Sequence, residues 1–314
     1  MPLPLLITVG SLFLLWVLMN LKTSRPDGKL IGKLHPYRHM MPYLMRTRNE
    51  SVVYFDTFID AGKLLAYLEA AKPRLGVDVT HCVVGALARA LAENPKMNQF
   101  VVGRRIYQRN DRVVAFSMKR KQKDREAKLA VVRMVVPGGQ TFPGLCKAIN
   151  DKIDVERSGK KTYTDKELSL FGGLPRPLLA AGVRLFRWLD YHNLLPGSFM
   201  ANDPMYVSCV VANLGSLGMG AAFHHLYEWG NAPLFMMVGQ IEDRPVVEGG
   251  QLAVRKILHV RWSYDERIDD GLNARFGIDS VKRCLEDPFT LLGGVKEDGS
   301  DVLPLDAPAP KTAA

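Results

Sequence analysis

The sequence is poor in cysteine and, with one exception, in long apolar runs. Its four cysteines, Cys82, Cys146, Cys209 and Cys284, lie far apart and form no C-x-x-C pair. That excludes a dense disulfide framework and offers no metal-ligand spacing, so isolated buried thiols in a reducing compartment are expected. After residue 21 no apolar run is long enough to cross a bilayer, which excludes a polytopic membrane protein. Internal repeats and a collagen-like period are also missing. A composition of 47% hydrophobic and 24% charged residues over 314 positions describes a globular chain.

The exception lies at the N-terminus. From Leu3 to Leu21 there is no charge, and 19 such positions as a helix span roughly 28 Å, close to the hydrocarbon thickness of a bilayer. A secretory signal would want a basic n-region and a small-x-small cleavage site. The start Met1-Pro2-Leu3-Pro4 has no basic side chain and the run ends in Met19-Asn20-Leu21-Lys22, so an uncleaved transmembrane anchor over 1–21 is the expectation. Lys22, Arg25, Lys29, Lys33 and Arg38 follow the span. The positive-inside rule then puts the N-terminus outside and the rest of the chain in the cytoplasm, as a single-pass protein of an inner or cytoplasmic membrane. The formal net charge of +10 is concentrated there and in Lys119–Arg125, which points to lipid head groups or a solvated loop rather than to nucleic acid.

Punctuation divides the remainder. Residues 22–50, with Pro26, Gly28, Gly32, Pro36 and Pro42, read as a basic connector holding at most a short helix. Residues 51–297 form the domain, and 298–314, rich in Pro, Ala and Asp, read as a disordered tail. Within the domain, strands are expected at 52–59, 113–118, 129–136, 205–211, 233–239 and 256–264. Helices are expected from Gly62 behind an Asp60 cap, over 79–92, 142–153 and 272–285. Residues 178–189 form an amphipathic helix, read as packed on its own domain in preference to resting on a bilayer. The mixture predicts an α+β two-layer sandwich, a mixed sheet with helices on one face.

Three segments in order carry a resemblance. They are Asp78-Val79-Thr80 through Asn94-Pro95-Lys96-Met97-Asn98; Val211-Ala212-Asn213-Leu214-Gly215-Ser216 through Val238-Gly239; and Trp262-Ser263-Tyr264-Asp265-Glu266-Arg267-Ile268-Asp269-Asp270-Gly271 through Leu285-Glu286-Asp287-Pro288. Together they resemble the catalytic domain of the 2-oxoacid dehydrogenase acyltransferases (E2), of the chloramphenicol acetyltransferase-like superfamily. The resemblance implies that fold, assembly as homotrimers or a larger cage, active sites between neighbouring subunits, and a coenzyme A thioester as ligand with no covalently bound cofactor. Complete E2 chains carry lipoyl and subunit-binding domains ahead of this core. The 22–50 stretch has no room for either, so the chain is not expected to shuttle acyl groups on a lipoyl-lysine of its own.

Two positions depart from the family pattern. Acyl transfer between thiols needs a base near neutrality, which the family supplies in a His-x-x-x-Asp-Gly motif. Here the Asp and Gly fall on Asp270 and Gly271, and the His falls on Glu266. An ordinary carboxylate, with a pKa of about 4.3, is a weak base for a thiol. A salt-bridged surface Glu266 is the simpler expectation, with Asp270 held structurally by Arg38, Arg46 or Arg48. The second departure is the oxyanion position before Asn213, where a Ser or Thr hydroxyl is expected and Ala212 stands. Ser208 and Ser216 do not fall in its place. Losing one such donor costs about 10²–10³ in rate.

His224 is the best alternative base; His225, His259 and His81 are more simply surface, core or cap residues. The residues therefore suggest a membrane-anchored, catalytically degenerate acyltransferase fold serving as an oligomeric scaffold or acyl-CoA-binding module. Its partners would be membrane lipids, further copies of itself, and other membrane or metabolic proteins. The competing readings are an active acyltransferase using Glu266 or His224 on a hydrophobic acceptor, and a structural oligomer whose channel is plugged by Phe223, Tyr227 and Trp229.

Overall fold

The computed structural model describes residues 2–120, 126, 129–159 and 172–308. Part of the basic run at 119–125, the start of the Leu168–Pro196 segment and the last six positions lie outside the described residues.

A six-stranded mixed sheet forms the centre, built from β2 (Val52–Asp60), β5 (Arg112–Lys119), β6 (Leu129–Val136), β7 (Cys209–Asn213), β8 (Leu234–Glu248) and β9 (Gln251–Asp265). Its order is β2-β9-β8-β7-β5-β6. The pairs β5/β7 and β7/β8 are parallel and the rest antiparallel. Alternation along each strand sends Leu234, Met236, Val238, Leu258, Val260 and Trp262 to one face. That face is covered by α3 (Gly62–Leu75), α4 (Val79–Glu93), α5 (Phe142–Arg157) and α8 (Gly271–Glu286). The layering is the two-layer α+β sandwich with helices on one face that the sequence predicts.

Local chemistry explains the helix starts. Asp78 caps α4 and accepts from the His81 N–H, and His81 completes the capping box while its Nε2 meets Asn150 Oδ1 at 3.1 Å. His81 is thus a cap. α4 is buried nearly all round, as its Ala-rich apolar sequence requires. Ala61, not Asp60, holds the cap position of α3, and Asp60 Oδ1 accepts from the Gly62 N–H.

The segment read as a connector is a structural part of the domain. It contributes β1 (Gly28–Leu30), which pairs with β4 (Arg105–Arg109), itself paired with β3 (Gln99–Val102), to make a small second sheet. Helix α2 (Pro36–Leu44) follows β1. Sequence patterning missed β3 and β4 because each is short, four and five residues, and β4 carries Arg105, Gln108 and Arg109. Their turn uses Gly103 and Arg104, both with positive φ (56° and 59°), the primed two-residue type that suits strand twist. A Cβ at Gly103 would sit 2.4 Å from the Tyr191 carbonyl oxygen.

A buried polar cluster holds the connector down. Arg25 pairs with Asp27 at 2.6 Å and Asp190 at 3.0 Å and donates to Asn193 Oδ1. Arg109 Nη2 and Asn231 Oδ1 meet at 2.7 Å, and Asn231 donates to Asp27.

The tail is also corrected as far as Ala307. Leu305 is buried in the main core, its N–H donates to the Gln140 carbonyl, and Arg89 donates to the Ala307 carbonyl. Asp306 accepts from the Gly139 N–H and pairs with Arg112. A single buried leucine, with capping contacts around it, pins a stretch whose composition alone reads as unstructured.

Helix α1 (Leu3–Leu21) has no buried residue and is, among the described residues, the single helix long and apolar enough to cross a membrane. Helix α6 (Arg176–Tyr191) also has no fully buried residue, yet it packs on the domain along one strip, as expected, with Phe186 and Leu189 against Leu195, Met200 and Tyr206. Only Gly182, Phe186, Leu189 and Asp190 along it are half-buried. The short α7 (Gly197–Asn202) supplies Phe199, which stacks on Phe186.

Candidate active site

The motif turn runs from the end of β9 into α8. Asp265 is buried and accepts from Ser51 Oγ at 2.9 Å and from Arg267 Nε and Nη2 at 2.8 and 2.7 Å. Arg267 is therefore spent on Asp265 and on the Met45 carbonyl. Glu266, half-buried, uses its backbone instead: its N–H donates to the Ser51 carbonyl and its carbonyl accepts from Arg38. No ion pair forms at its carboxylate among the described residues, so the expected salt-bridged Glu266 is not what the single chain contains. Asp270 is exposed and caps α8, accepting from the Asn273 N–H at 2.9 Å and from its side chain. The expected arginine partner for Asp270 is replaced by this cap. Arg48 is buried and donates to the Tyr227 and Gly230 carbonyls.

One group in this turn escaped sequence reasoning. Asp269 is buried, and Tyr264 Oη donates to its Oδ2 at 3.1 Å while Oδ1 has no partner. Burial pushes its carboxyl up to about 6, against the opposing pull of the Tyr264 hydrogen bond and of Arg38. A run of four acids and one arginine gives no sign of which acid turns inward.

Ala212 and Asn213 occupy opposite faces of β7. Asn213 Nδ2 donates to Thr80 Oγ1 at the start of α4, and Ala212 packs on the outer apolar cluster around Val210, Phe235 and Met237. Ser208 is buried with its Oγ accepting from the Val113 N–H, and Ser216 Oγ donates to the Asn213 carbonyl. Neither stands in for the missing hydroxyl. A different serine comes closer. The β5/β7 register pairs Ala115 with Val210 and Phe116 with Val211, so Ser117, one residue on, lies beside Ala212 on the same face, one strand spacing of about 4.8 Å away. Only the strand order reveals that neighbour.

His224 shares this outer face. Its ring stacks on Phe235 with centroids 3.9 Å apart, and its carbonyl accepts from Ser263 Oγ. Its Nδ1 lies 2.6 Å from the His225 carbonyl oxygen. A carbonyl only accepts, so Nδ1 carries the proton and Nε2 holds the lone pair. Burial pushes its pKa below the usual imidazole value. His225 makes the same bond to the Leu226 carbonyl at 3.1 Å. His259 is engaged otherwise, 2.6 Å from Asp56 and stacked on Phe58. Phe223 is 57% exposed under the Arg261 guanidinium, and Tyr227 and Trp229 are half-buried in their own chain.

Within one chain these positions do not all meet. Ala212 pairs with Met237, and Met237 with Arg261, five residues before Glu266 on β9. Two strand spacings across and five residues along put Glu266 and Ala212 roughly 15–20 Å apart. Arg267, next to Glu266 in sequence, lines a different concavity, a cleft of about 230 Å³ walled also by Arg46, Arg48, Arg104 and Arg187. No group of residues suited to hold a metal occurs among the described residues.

Comparison with known proteins fits this geometry. Residues 196–293 match the family model of the 2-oxoacid dehydrogenases acyltransferase (catalytic domain). The chain is 41% identical over 154 residues to the mitochondrial dihydrolipoyllysine-residue succinyltransferase component of the Bos taurus 2-oxoglutarate dehydrogenase complex, covering 46% of this chain and 34% of that protein. It is 29% identical over 175 residues to the dihydrolipoyllysine-residue acetyltransferase component of the Bacillus subtilis pyruvate dehydrogenase complex, covering 52% and 38%. The chain thus spans well under half the length of these curated relatives.

Among solved structures, a probable dihydrolipoamide acetyltransferase from Listeria monocytogenes superposes with a TM-score of 0.54 at 18% identity, over 83% of this chain and 95% of that one. The cubic core of a pyruvate dehydrogenase multienzyme complex gives 0.54 at 14%, over 83% and 93%. Chloramphenicol acetyltransferase gives 0.50 at 13%, over 82% and 99%. At these identities the likeness is one of fold, and the fold is chloramphenicol acetyltransferase-like.

Proposed function

We propose, for a chain whose residues 196–293 fall in the catalytic-domain family of the 2-oxoacid dehydrogenase acyltransferases, a membrane-anchored and catalytically degenerate E2-type protein. It self-assembles and serves as a scaffold or as a binding module for a coenzyme A thioester. The observation that carries the reading is the pair of side chains at the two motif positions. A carboxylate at Glu266 replaces the imidazole, and a methyl at Ala212 faces apolar neighbours where an oxyanion donor is needed. Acyl transfer requires a base and a donor converging on one carbonyl. Helix α1 supports the anchor, and the cubic core that a structural relative forms supports self-assembly.

The decisive experiment measures acyl transfer from acetyl-CoA or succinyl-CoA to dihydrolipoamide by the full chain in vesicles, beside calorimetric binding of coenzyme A. Binding without turnover is expected, and the double variant Glu266→His with Ala212→Ser should gain turnover. Turnover by the unaltered chain that Glu266→Gln abolishes would overturn the degenerate reading.

A second reading is favoured by a specific arrangement: His224 with a free Nε2, and Ser117 beside Ala212, on one face of the sheet. There Nε2 would take the proton of an acceptor thiol or hydroxyl as its sulfur or oxygen attacks the thioester carbonyl. Ser117 would donate to the oxyanion. The carbon–sulfur bond to coenzyme A would break on collapse, the leaving thiolate taking the proton from the imidazolium. His224→Ala and Ser117→Ala should then each remove turnover by about 10²-fold or more. Unchanged rates in both would eliminate this reading.

A further inference from the structure

Helix α6 has three strips when its 16 residues are turned at about 100° each. Gly182, Phe186, Leu189 and Asp190 face the domain and are half-buried. Arg176, Arg184 and Arg187 lie on the charged strip, and all three are exposed. The third strip is Leu178, Ala181, Leu185 and Trp188, in which Leu178 is 58%, Leu185 54% and Trp188 43% exposed. A continuous apolar stripe bordered along one edge by arginine fits a bilayer surface, since apolar side chains enter the headgroup boundary while guanidinium groups stay with the phosphates.

A second observation says what covers the stripe. The C-terminal end of α1 is fastened to the C-terminal end of α6. Asn193, two residues beyond α6, donates to the Lys22 carbonyl at 2.9 Å. Arg105 donates to the Lys22 and Asn20 carbonyls. Arg25 joins Asp190 of α6 to Asn193. With α1 across a bilayer, Lys22 stands at headgroup level, and the last turn of α6 is held there by direct hydrogen bonds. The exposed apolar surface of α1 and that of α6 then meet one continuous lipid phase.

We propose that α6 is an interfacial helix, its Leu178–Leu185–Trp188 stripe lying in the headgroup–acyl boundary of an anionic bilayer and Arg184 among the lipid phosphates. This rests on reading α1 as a membrane span. It also fixes the domain against the membrane at two places, so that the sheet keeps one orientation above the lipid.

The test uses the full chain reconstituted in vesicles of phosphatidylcholine and phosphatidylglycerol. All four native cysteines are buried, so a single introduced cysteine takes a nitroxide label selectively. Labels go on Leu12→Cys in α1, Leu185→Cys in α6 and Lys63→Cys on the exposed side of α3. Collisions with a water-soluble nickel chelate and with oxygen report depth. The label at position 185 should be several-fold better shielded from nickel than the one at 63, and open to oxygen, as at 12. Shielding at 12 with full nickel access at 185 would overturn the interfacial helix and leave the span intact. Nickel access at both 12 and 185 would overturn both. Shielding at 185 with strong dipolar broadening between labels would overturn the proposal too, because a second copy would then cover the stripe.

Discussion

On its inner face the central sheet presents Val238, Leu258, Val260 and Trp262 to four helices; on its outer face the same strands present Phe235, Met237, Arg261 and Ser263. Beside the latter, Tyr54, Asp56 and Phe58 of β2 are exposed. The inner side chains are interchangeable hydrophobes closed off from water. The outer ones are a mixture of aromatic, charged and hydroxyl groups, half covered by the 221–232 loop, and they include every candidate for chemistry except Glu266 and its turn. One set of strands therefore carries two kinds of surface at alternate positions, one packed under helices and one that bears the candidate groups.

The difference can be broken or sharpened by substitution. Trp262→Ala, at the middle of the inner face, should cost about 3–5 kcal/mol through lost burial and a residual cavity, measured by denaturant unfolding in mild detergent. A loss below 1 kcal/mol would mean that the inner face is not the stabilising one. Next comes Asp269→Asn, at the end of the sheet. A carboxyl whose folded pKa is raised to about 6 binds its proton more tightly in the folded state. Its protonated form favours folding below about pH 4, and that advantage is lost as pH rises through 6. Asparagine does not titrate, so the variant should gain stability relative to the parent as pH rises from 4 to 7, by at most roughly 3 kcal/mol, with the gap closing in acid. A pH-independent gap would show that Asp269 does not titrate this way. Smallest of all, Phe58→Ala on the outer face should change stability by less than about 1 kcal/mol. A loss comparable with that of Trp262→Ala would erase the distinction between the faces.

Legibility followed the same division. Period-two and period-3.6 patterns located the inner face and its helices because burial imposes a repeat on the sequence. β5, β6, α5 and α8 fall within a few residues of where the pattern puts them, whereas β7 is confined to Cys209–Asn213 and β8 and β9 extend into a longer arm. The small sheet was invisible because its strands are short and held by contacts such as Arg109 of β4 with Asn231, 122 residues apart in sequence. At the candidate site, the substitutions at Glu266 and Ala212 are plain in the sequence. The neighbourhood of Ser117 and Ala212 depends on strand order, the tautomer of His224 on one carbonyl, and the inward turn of Asp269 on a helix cap one residue later. None of these leaves a periodic trace.

The fastening of α1 to Asn193 and Arg105 also constrains symmetry. Copies related by a single rotation axis can send their N-terminal helices in one common direction, along that axis, and enter one flat membrane together. A closed cubic shell points its subunits along many axes at once. With the helix latched to the body of the domain and not hung on a flexible linker, such a shell would aim its apolar rods outward in all directions or inward to a point. On the proposed reading of α1 as a membrane span, a ring of subunits about one axis would satisfy this constraint and a sealed cage would not.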